Sequence, residues 1–328
     1  MGLFIQKNMF KHNIWRRARR LKPKLLKGLP RDTAAILCYH GIHAGDIPFS
    51  VWTQISAEQF ETHLAFLSGR YELIHLSELE RRLDNGLRGN PVVLTFDDGY
   101  TNNFFCAFPL LKKYRVPATI FVTAGAVGTD KMIWTDQVAT ILAAGDWILF
   151  EGETLPLHRS RDKATAYRSI VNFLKTQNPV EIRDWIEKEM TLLRKNRDVL
   201  NPSCFSVLNW EQIQTMRKSG LIEIGSHGLD HFILSKMSPE TAEAEIRGAK
   251  AVIEDRIGPV TAFAYPNGAA DDFSELHRVM LQNSGFRMAL TTSPLRVTGR
   301  VRRMEIPRIC VGHKDTVEVL NYRITRSH

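Results

Sequence analysis

The sequence predicts an α/β fold of parallel βαβ units, closed or nearly closed into a barrel, with a helical insertion and a basic N-terminal tail. Three observations predict it. From residue 34 onward, about eight short apolar runs alternate with helical patterns that carry their own start signals. Residues 130–205 break that rhythm with helical patterns alone, and residues 1–31 stand apart by charge.

The first run, AAILCY (34–39), is followed by Ser56-x-x-Gln59, a capping box opening a helix through Phe60, Leu64 and Leu67. YELIHL (71–76) precedes a second box, Ser77-x-x-Glu80. PVVLTF (91–96) leads into a helix reaching about Tyr114, and PATIFV (117–122) comes next. Later strand candidates are LIEIGS (221–226), VTAFAY (260–265), FRMALT (286–291) and EIPRICV (305–311). Helices between them start at Asn209 and at Ser238-Pro239, a cap with proline in the first helical position. Within 130–205, MIWTDQVATILAA, ATAYRSIVNFLK and VEIRDWIEKEMTLLRK read as helices with no strand between them, an insertion expected beside the barrel mouth. The domain reading is therefore a tail over 1–31 and a barrel over 32–328, interrupted by that insertion.

At 328 residues and 44% hydrophobic, the chain can form one large α/β domain or two modest ones, and it is neither disordered nor fibrous in composition. The net charge of +9 invites a nucleic-acid reading until it is located. Residues 1–31 hold ten Lys/Arg and no acid, and the remaining 297 residues carry 34 Lys/Arg against 35 Asp/Glu, a net of −1. A neutral body argues against nucleic acid as a partner. In the tail, Leu3, Phe10, Ile14 and Leu21 recur at helical intervals among basic residues, which fits either a short amphipathic helix on anionic lipid or a solvated basic arm. No uncharged apolar run approaches the ~18 residues that span a bilayer. The first charges also come too early for a cleavable secretory signal. Cys38, Cys106, Cys204 and Cys310 show no C-x-x-C spacing and are expected as buried, reduced thiols of a cytoplasmic protein.

Chemistry concentrates where strands are expected to end, which in parallel barrels is the catalytic face. VVLTF closes on two adjacent carboxylates, Asp97 and Asp98, followed by a glycine. Two acids forced together imply a metal, a catalytic base, or both, although Asp-Asp-Gly also makes an ordinary turn. LIEIGSHGLDH gives His227 and His231, four apart, a spacing that brings two imidazoles onto one face of a helical turn and suits zinc. AFAYPNG ends in a Pro266-Asn267-Gly268 turn whose N–H groups can stabilise an oxyanion.

TFDDGY, SHGLDH and FAYPNG, in that order on strand ends, resemble the first three motifs of the polysaccharide deacetylases, the NodB homology domain of carbohydrate esterase family 4. The resemblance covers roughly residues 34–125 and 205–312. It implies a deformed (β/α)7-type barrel and one divalent metal, most commonly zinc. By motif position it implies Asp97 as general base, Asp98, His227 and His231 as metal ligands, and the backbone amide of Asn267 as oxyanion donor. Two departures stand out. Ala264 occupies the place of the arginine that orients the base, and Arg308 in IPRICV, at another strand end, is the expected substitute. The late leucine-to-histidine motif is missing from MALTTSPLRV, and here the sequence resembles the branch whose general-acid histidine lies near the start of the domain. That assigns the role to His40 in ILCYHGI, ahead of His43.

The expected activity is metal-dependent removal of an N-acetyl group from an amino sugar in a bacterial polysaccharide or lipid-linked glycan precursor. The alternatives are a deformylase or cyclic-amide hydrolase using the same site, both implied by the resemblance, or a catalytically silent glycan-binding module. The basic tail suggests a cytoplasmic protein in peripheral contact with the inner face of an anionic membrane, and hence a lipid-linked sugar as partner.

Overall fold

The computed structural model describes residues 28–195 and 202–326. The N-terminal positions on which the amphipathic-helix expectation mostly rests lie outside the described residues. The chain enters a sheet with β1 (Thr33–Tyr39), whose residues after Thr33 are all buried. Two short parallel strands, β2 (Gly41–His43) and β3 (Gln54–Ser56), lead to α1 (Ala57–Ser68), capped as expected by the Ser56 hydroxyl accepting from the Gln59 N–H at 3.2 Å. Then come α2 (Leu76–Asp84), β4 (Val92–Phe96), a π-helical turn at Asn103–Ala107, α3 (Phe108–Tyr114) and β5 (Ala118–Val122).

The insertion follows as α4 (Trp134–Ala144), β6 (Trp147–Phe150), β7 (Glu153–Pro156), α5 (Ser160–Leu174) and α6 (Pro179–Arg194). The barrel resumes with α7 (Trp210–Lys218), β8 (Ile222–Ser226), α8 (Pro239–Ile257), β9 (Ala262–Ala264), α9 (Glu275–Asn283), β10 (Met288–Leu290), β11 (Val297–Thr298), β12 (Ile309–Cys310) and α10 (Val317–Arg326). Asn209 and Ser238 cap α7 and α8 with their side-chain oxygens.

Seven strands run parallel in the order β10, β9, β8, β5, β4, β1, β12, with β11 antiparallel against the start of β1. The register places Leu37 beside both Leu94 and Ile309, and Ala118 beside both Leu94 and Ile222. Ile306, just ahead of β12, bridges Leu290 of β10, so one short segment stitches the last strand of the curled sheet to the first. This is the α/β barrel that the alternation of runs predicts. Strands β4 and β5 are buried along their whole length because their inner face fills the barrel and their outer face carries helices.

Two expectations differ from the structure. YELIHL is not a strand: only Leu73 makes an isolated bridge, to Val92, and the helix behind it begins after His75. Ser77 lies inside that helix, where its hydroxyl donates to the Glu223 carboxylate instead of capping. The insertion is also not purely helical, since β6 and β7 pair as an antiparallel hairpin. Its turn is Glu151-Gly152, with φ of 49° and 81°, and two left-handed residues match the twist of a tight hairpin. The insertion has its own apolar core, in which Ile133, Trp134, Val138, Leu142, Ile170 and Ile186 pack with Tyr100 and Phe232 from the barrel loops.

Candidate active site and metal centre

At the exit of β4 the backbone turns through two consecutive left-handed residues, Asp98 at φ 74° and Gly99 at φ 75°. A Cβ on Gly99 would sit 3.0 Å from a Val122 methyl, so glycine serves both conformation and space. This sharp turn keeps both Asp97 and Asp98 inside, at 2% and 5% exposure. The Asp97 N–H still donates to Tyr39 at 2.9 Å, continuing the β1 ladder, so its side chain is fixed by the sheet.

Arg308, fully buried, grips the Asp97 carboxylate through both oxygens: Nη1 to Oδ1 at 2.6 Å and Nη2 to Oδ2 at 2.7 Å. Its Nε donates to the Thr291 carbonyl and its Nη1 also reaches Thr95 Oγ1, while its guanidinium lies over the Phe121 ring. A planar fork clamped on all sides has one orientation available. Burial alone would push the Asp97 carboxyl up, but the Arg308 charge, aided by His227, overrides it and holds the group at about 2.

Across from this pair, Asp98, His227 and His231 bring one ligand atom each within 4.8 Å of one another. His231 Nε2 lies 3.2 Å and His227 Nε2 3.5 Å from Asp98 Oδ1. The His227 Nδ1–H donates to the Ala264 carbonyl at 2.8 Å, which leaves Nε2 with its lone pair toward Asp98. Burial pulls the His227 imidazole down to about 4, against the pull of Asp97, so it is neutral as a ligand must be. Asp98 Oδ1 is buried and has no hydrogen bond of acceptable geometry, although two imidazoles face it. One oxygen and two nitrogens converging without bonding one another fit a divalent cation, and this donor set suits zinc.

The histidine spacing acts differently from expectation. Residues 227–231 form a loop and not a helical turn, because Gly228 at φ 81° and His231 at φ 63° fold it back through left-handed backbone. The result is the same proximity, with the two rings edge to face at 4.9 Å.

A family model for polysaccharide deacetylases matches residues 84–289, well over half of the chain. The chain belongs to the polysaccharide deacetylase family. A Bacillus subtilis (strain 168) protein named as a polysaccharide deacetylase, YxkH, is 31% identical over 123 residues, which are 37% of this chain and 42% of that one. A poly-beta-1,6-N-acetyl-D-glucosamine N-deacetylase of Staphylococcus aureus is 26% identical over 179 residues, 51% of this chain and 59% of that one. The chain thus spans about half the length of the curated relatives it matches. Among solved structures, the Streptococcus pyogenes deacetylase PplD in complex with acetate superposes with a TM-score of 0.60 at 18% identity, over 90% of this chain and 99% of that one. IcaB from Ammonifex degensii gives 0.58 at 21% identity, over 91% and 99%. These two establish likeness of fold.

The remaining expected residues also lie at or just after strand ends. His40 follows β1, is largely buried, and packs edge to face against Trp52 with ring centroids 5.0 Å apart. A ring nitrogen of His40 lies within 4.8 Å of ligand atoms of Asp97 and Cys38. Burial lowers the His40 pKa, partly countered by Asp98 and Asp97. His43, by contrast, bonds the nearby Gly45 carbonyl and is not part of either cluster. Asn267, at φ 61°, is pinned by its Nδ2 donating to Asp272 at 2.5 Å and its carbonyl accepting from Thr292 Oγ1 at 2.9 Å.

The sequence marks Cys38 only as a buried thiol, yet its Sγ–H donates to Asp97 Oδ2 at 3.3 Å. Burial pushes the thiol pKa well up, so it stays a donor. The signal was available, since alternation along a strand puts Cys38 and His40 on one face. Tyr100 of TFDDGY donates its hydroxyl to Asp136 at 2.8 Å, a contact that no feature of the sequence announces.

Proposed function

We propose that this chain hydrolyses the acetamide of an N-acetylated hexosamine within a polysaccharide, using a divalent metal, zinc by its donor set, held by Asp98, His227 and His231. The observation that carries the reading is the Arg308–Asp97 pair set beside that converging ligand trio. The substrate class follows from the Staphylococcus aureus relative, named for poly-beta-1,6-N-acetyl-D-glucosamine.

When bound, the metal supplies Lewis-acid polarisation of the acetamide carbonyl and lowers the pKa of water toward ~7. Asp97 is the base that takes the water proton as the oxygen attacks the carbonyl carbon. The Arg308 fork keeps its carboxylate ionised and aimed, and the Cys38 thiol holds Oδ2 from the other side. The Asn267 N–H, presented by a left-handed turn, donates to the oxyanion. His40 gives a proton to the departing sugar amine, its ring held by Trp52 and its carbonyl by Asn103 Nδ2. Acetate and a free amino sugar leave, and the Asp97 proton returns to His40 through solvent.

The deciding experiment loads the purified chain with Zn²⁺ or Co²⁺ and measures acetate and formate release from poly-N-acetylglucosamine and from N-formyl analogues. Acetate release that chelation abolishes and metal restores is expected. Formate release alone would move the assignment to a deformylase, and neither product with a loaded site would overturn it.

A further inference from the structure

We infer that the insertion is a clamp on the two metal-ligand loops, with Trp134 and Asp136, at the start of α4, as positioning residues. The inference rests on the metal assignment proposed above. Its basis is the backbone of the ligands themselves. Both Asp98 and His231 are non-glycine residues at positive φ, 74° and 63°. Such backbone is strained in a non-glycine residue and persists only where its surroundings over-determine it.

Barrel elements hold the residues before His231, where the Glu245 carboxylate of α8 accepts from the Leu229 and Asp230 N–H groups at 2.8 and 2.7 Å. The insertion supplies contacts to His231 itself and to the Asp98 loop. The Trp134 indole N–H donates to the carbonyl of His231 itself at 3.0 Å, fixing the peptide that leaves the strained residue. Two residues on, the Asp136 carboxylate accepts from the Tyr100 hydroxyl at 2.8 Å, and Tyr100 stands two residues past Asp98. Trp134, Asp136 and Tyr100 are all nearly excluded from solvent, at 4%, 3% and 1% exposure. One turn of one helix therefore ties down both loops.

The insertion's return segment adds to this hold. The Thr101 N–H donates to Ser206 at 2.7 Å and the Leu208 N–H to Gly99 at 2.8 Å, so the chain leaving the insertion forms a short antiparallel bridge along the Asp98 loop. On the histidine side, Arg183 of α6 pairs with Asp230 at 3.2 Å and lies over the Phe232 ring at 4.8 Å. These residues flank His231 directly. Barrel contacts stop at Asp230, so the His231 carbonyl and the Tyr100 side of the Asp98 loop depend on the insertion for these bonds. Partners one step behind a ligand typically hold 10–100-fold of metal affinity.

The test is Co²⁺ binding to the metal-free full chain, read by competition with a chromophoric chelator and by the visible d–d spectrum. Trp134→Phe keeps an aromatic ring, smaller than the indole, and loses the donor. Asp136→Ala loses the acceptor for Tyr100, while Asp136→Asn retains one. We expect Trp134→Phe and Asp136→Ala to weaken Co²⁺ binding at least tenfold and to alter the spectrum, and Asp136→Asn to recover most of the loss. Activity lost at limiting metal should return at saturating metal with KM unchanged, which a general loss of structure would not produce. If Trp134→Phe fails to fold, Tyr100→Phe, which removes one hydroxyl from the same linkage, decides by the same readouts. Affinity and spectrum equal to wild type in the folded variants overturn the clamp. A wild-type chain that binds Co²⁺ yet releases no acetate overturns the deacetylase mechanism and leaves the clamp standing.

Discussion

Replacing Arg308 by Gln removes the guanidinium that grips Asp97 through both oxygens, and the outcome can be worked from the geometry. The guanidinium is fully buried and makes two bonds of 2.6 and 2.7 Å to the carboxylate. Removing one partner of such a pair leaves a buried uncompensated charge, a loss of about 3–5 kcal/mol. For a chain of 328 residues that is a fall in Tm of roughly 4–7 °C. In the wild type Asp97 sits at about 2 against an ordinary 3.8, so its ionised form stabilises the fold above pH 3.8. That contribution, on the order of 2 kcal/mol, is lost as pH falls through 2.

In Arg308→Gln the sign reverses. Burial, the largest influence on this carboxyl, is no longer overridden and pushes its folded pKa above 3.8, so ionisation then costs stability as pH rises. The gap in Tm between wild type and variant should therefore be widest at pH 7 and narrow toward pH 4. Calorimetry on the metal-free proteins measures it, and acetate release should fall by a factor on the order of 10² in parallel, with Arg308→Lys between the two. A variant that melts within 2 °C of wild type, or a gap that does not change with pH, would refute the argument.

His231→Ala should lose bound metal and activity together, because two remaining donors hold a divalent ion poorly, and metal analysis beside an acetate assay checks it. Asp97→Asn should keep most of the metal while turnover drops by a factor on the order of 10² or more, and equal loss of both would make Asp97 a ligand. Gly225→Ala should destabilise the barrel by about 1–3 kcal/mol, since its Cβ would run into the Phe121 ring and lie 3.0 Å from the Ala262 carbonyl oxygen. An unchanged melting curve would show that β8 can shift away from β5 and β9.

What the sequence discloses follows from where local rules are broken. Strands β1, β4 and β5 are legible because each is a short apolar run buried on both faces, as barrel strands require, while β8 reads as a strand although Glu223 is partly exposed. YELIHL misleads because its residues serve other partners: Glu72 pairs with Arg82 and His75 ends up before a helix. The hairpin of the insertion escapes notice because Glu151 adopts left-handed backbone that nothing in its side chain announces.

The same rule governs the site. Asp97, Asp98, His227 and Asn267 are conspicuous as polar groups ending apolar runs, so their placement can be read one motif at a time. Arg308 is harder, since its tie to Asp97 spans 211 positions and the motif that usually supplies an arginine holds Ala264. The Trp134 and Asp136 contacts are harder still. Tryptophan and aspartate in the first turn of a helix are ordinary, and only the fold brings the indole to His231 and the carboxylate to Tyr100. A strand end can reveal which atoms would hold a metal. The left-handed backbone at Asp98 and His231 costs energy that those same motifs do not supply, so the source of their rigidity has to be sought in a distant segment.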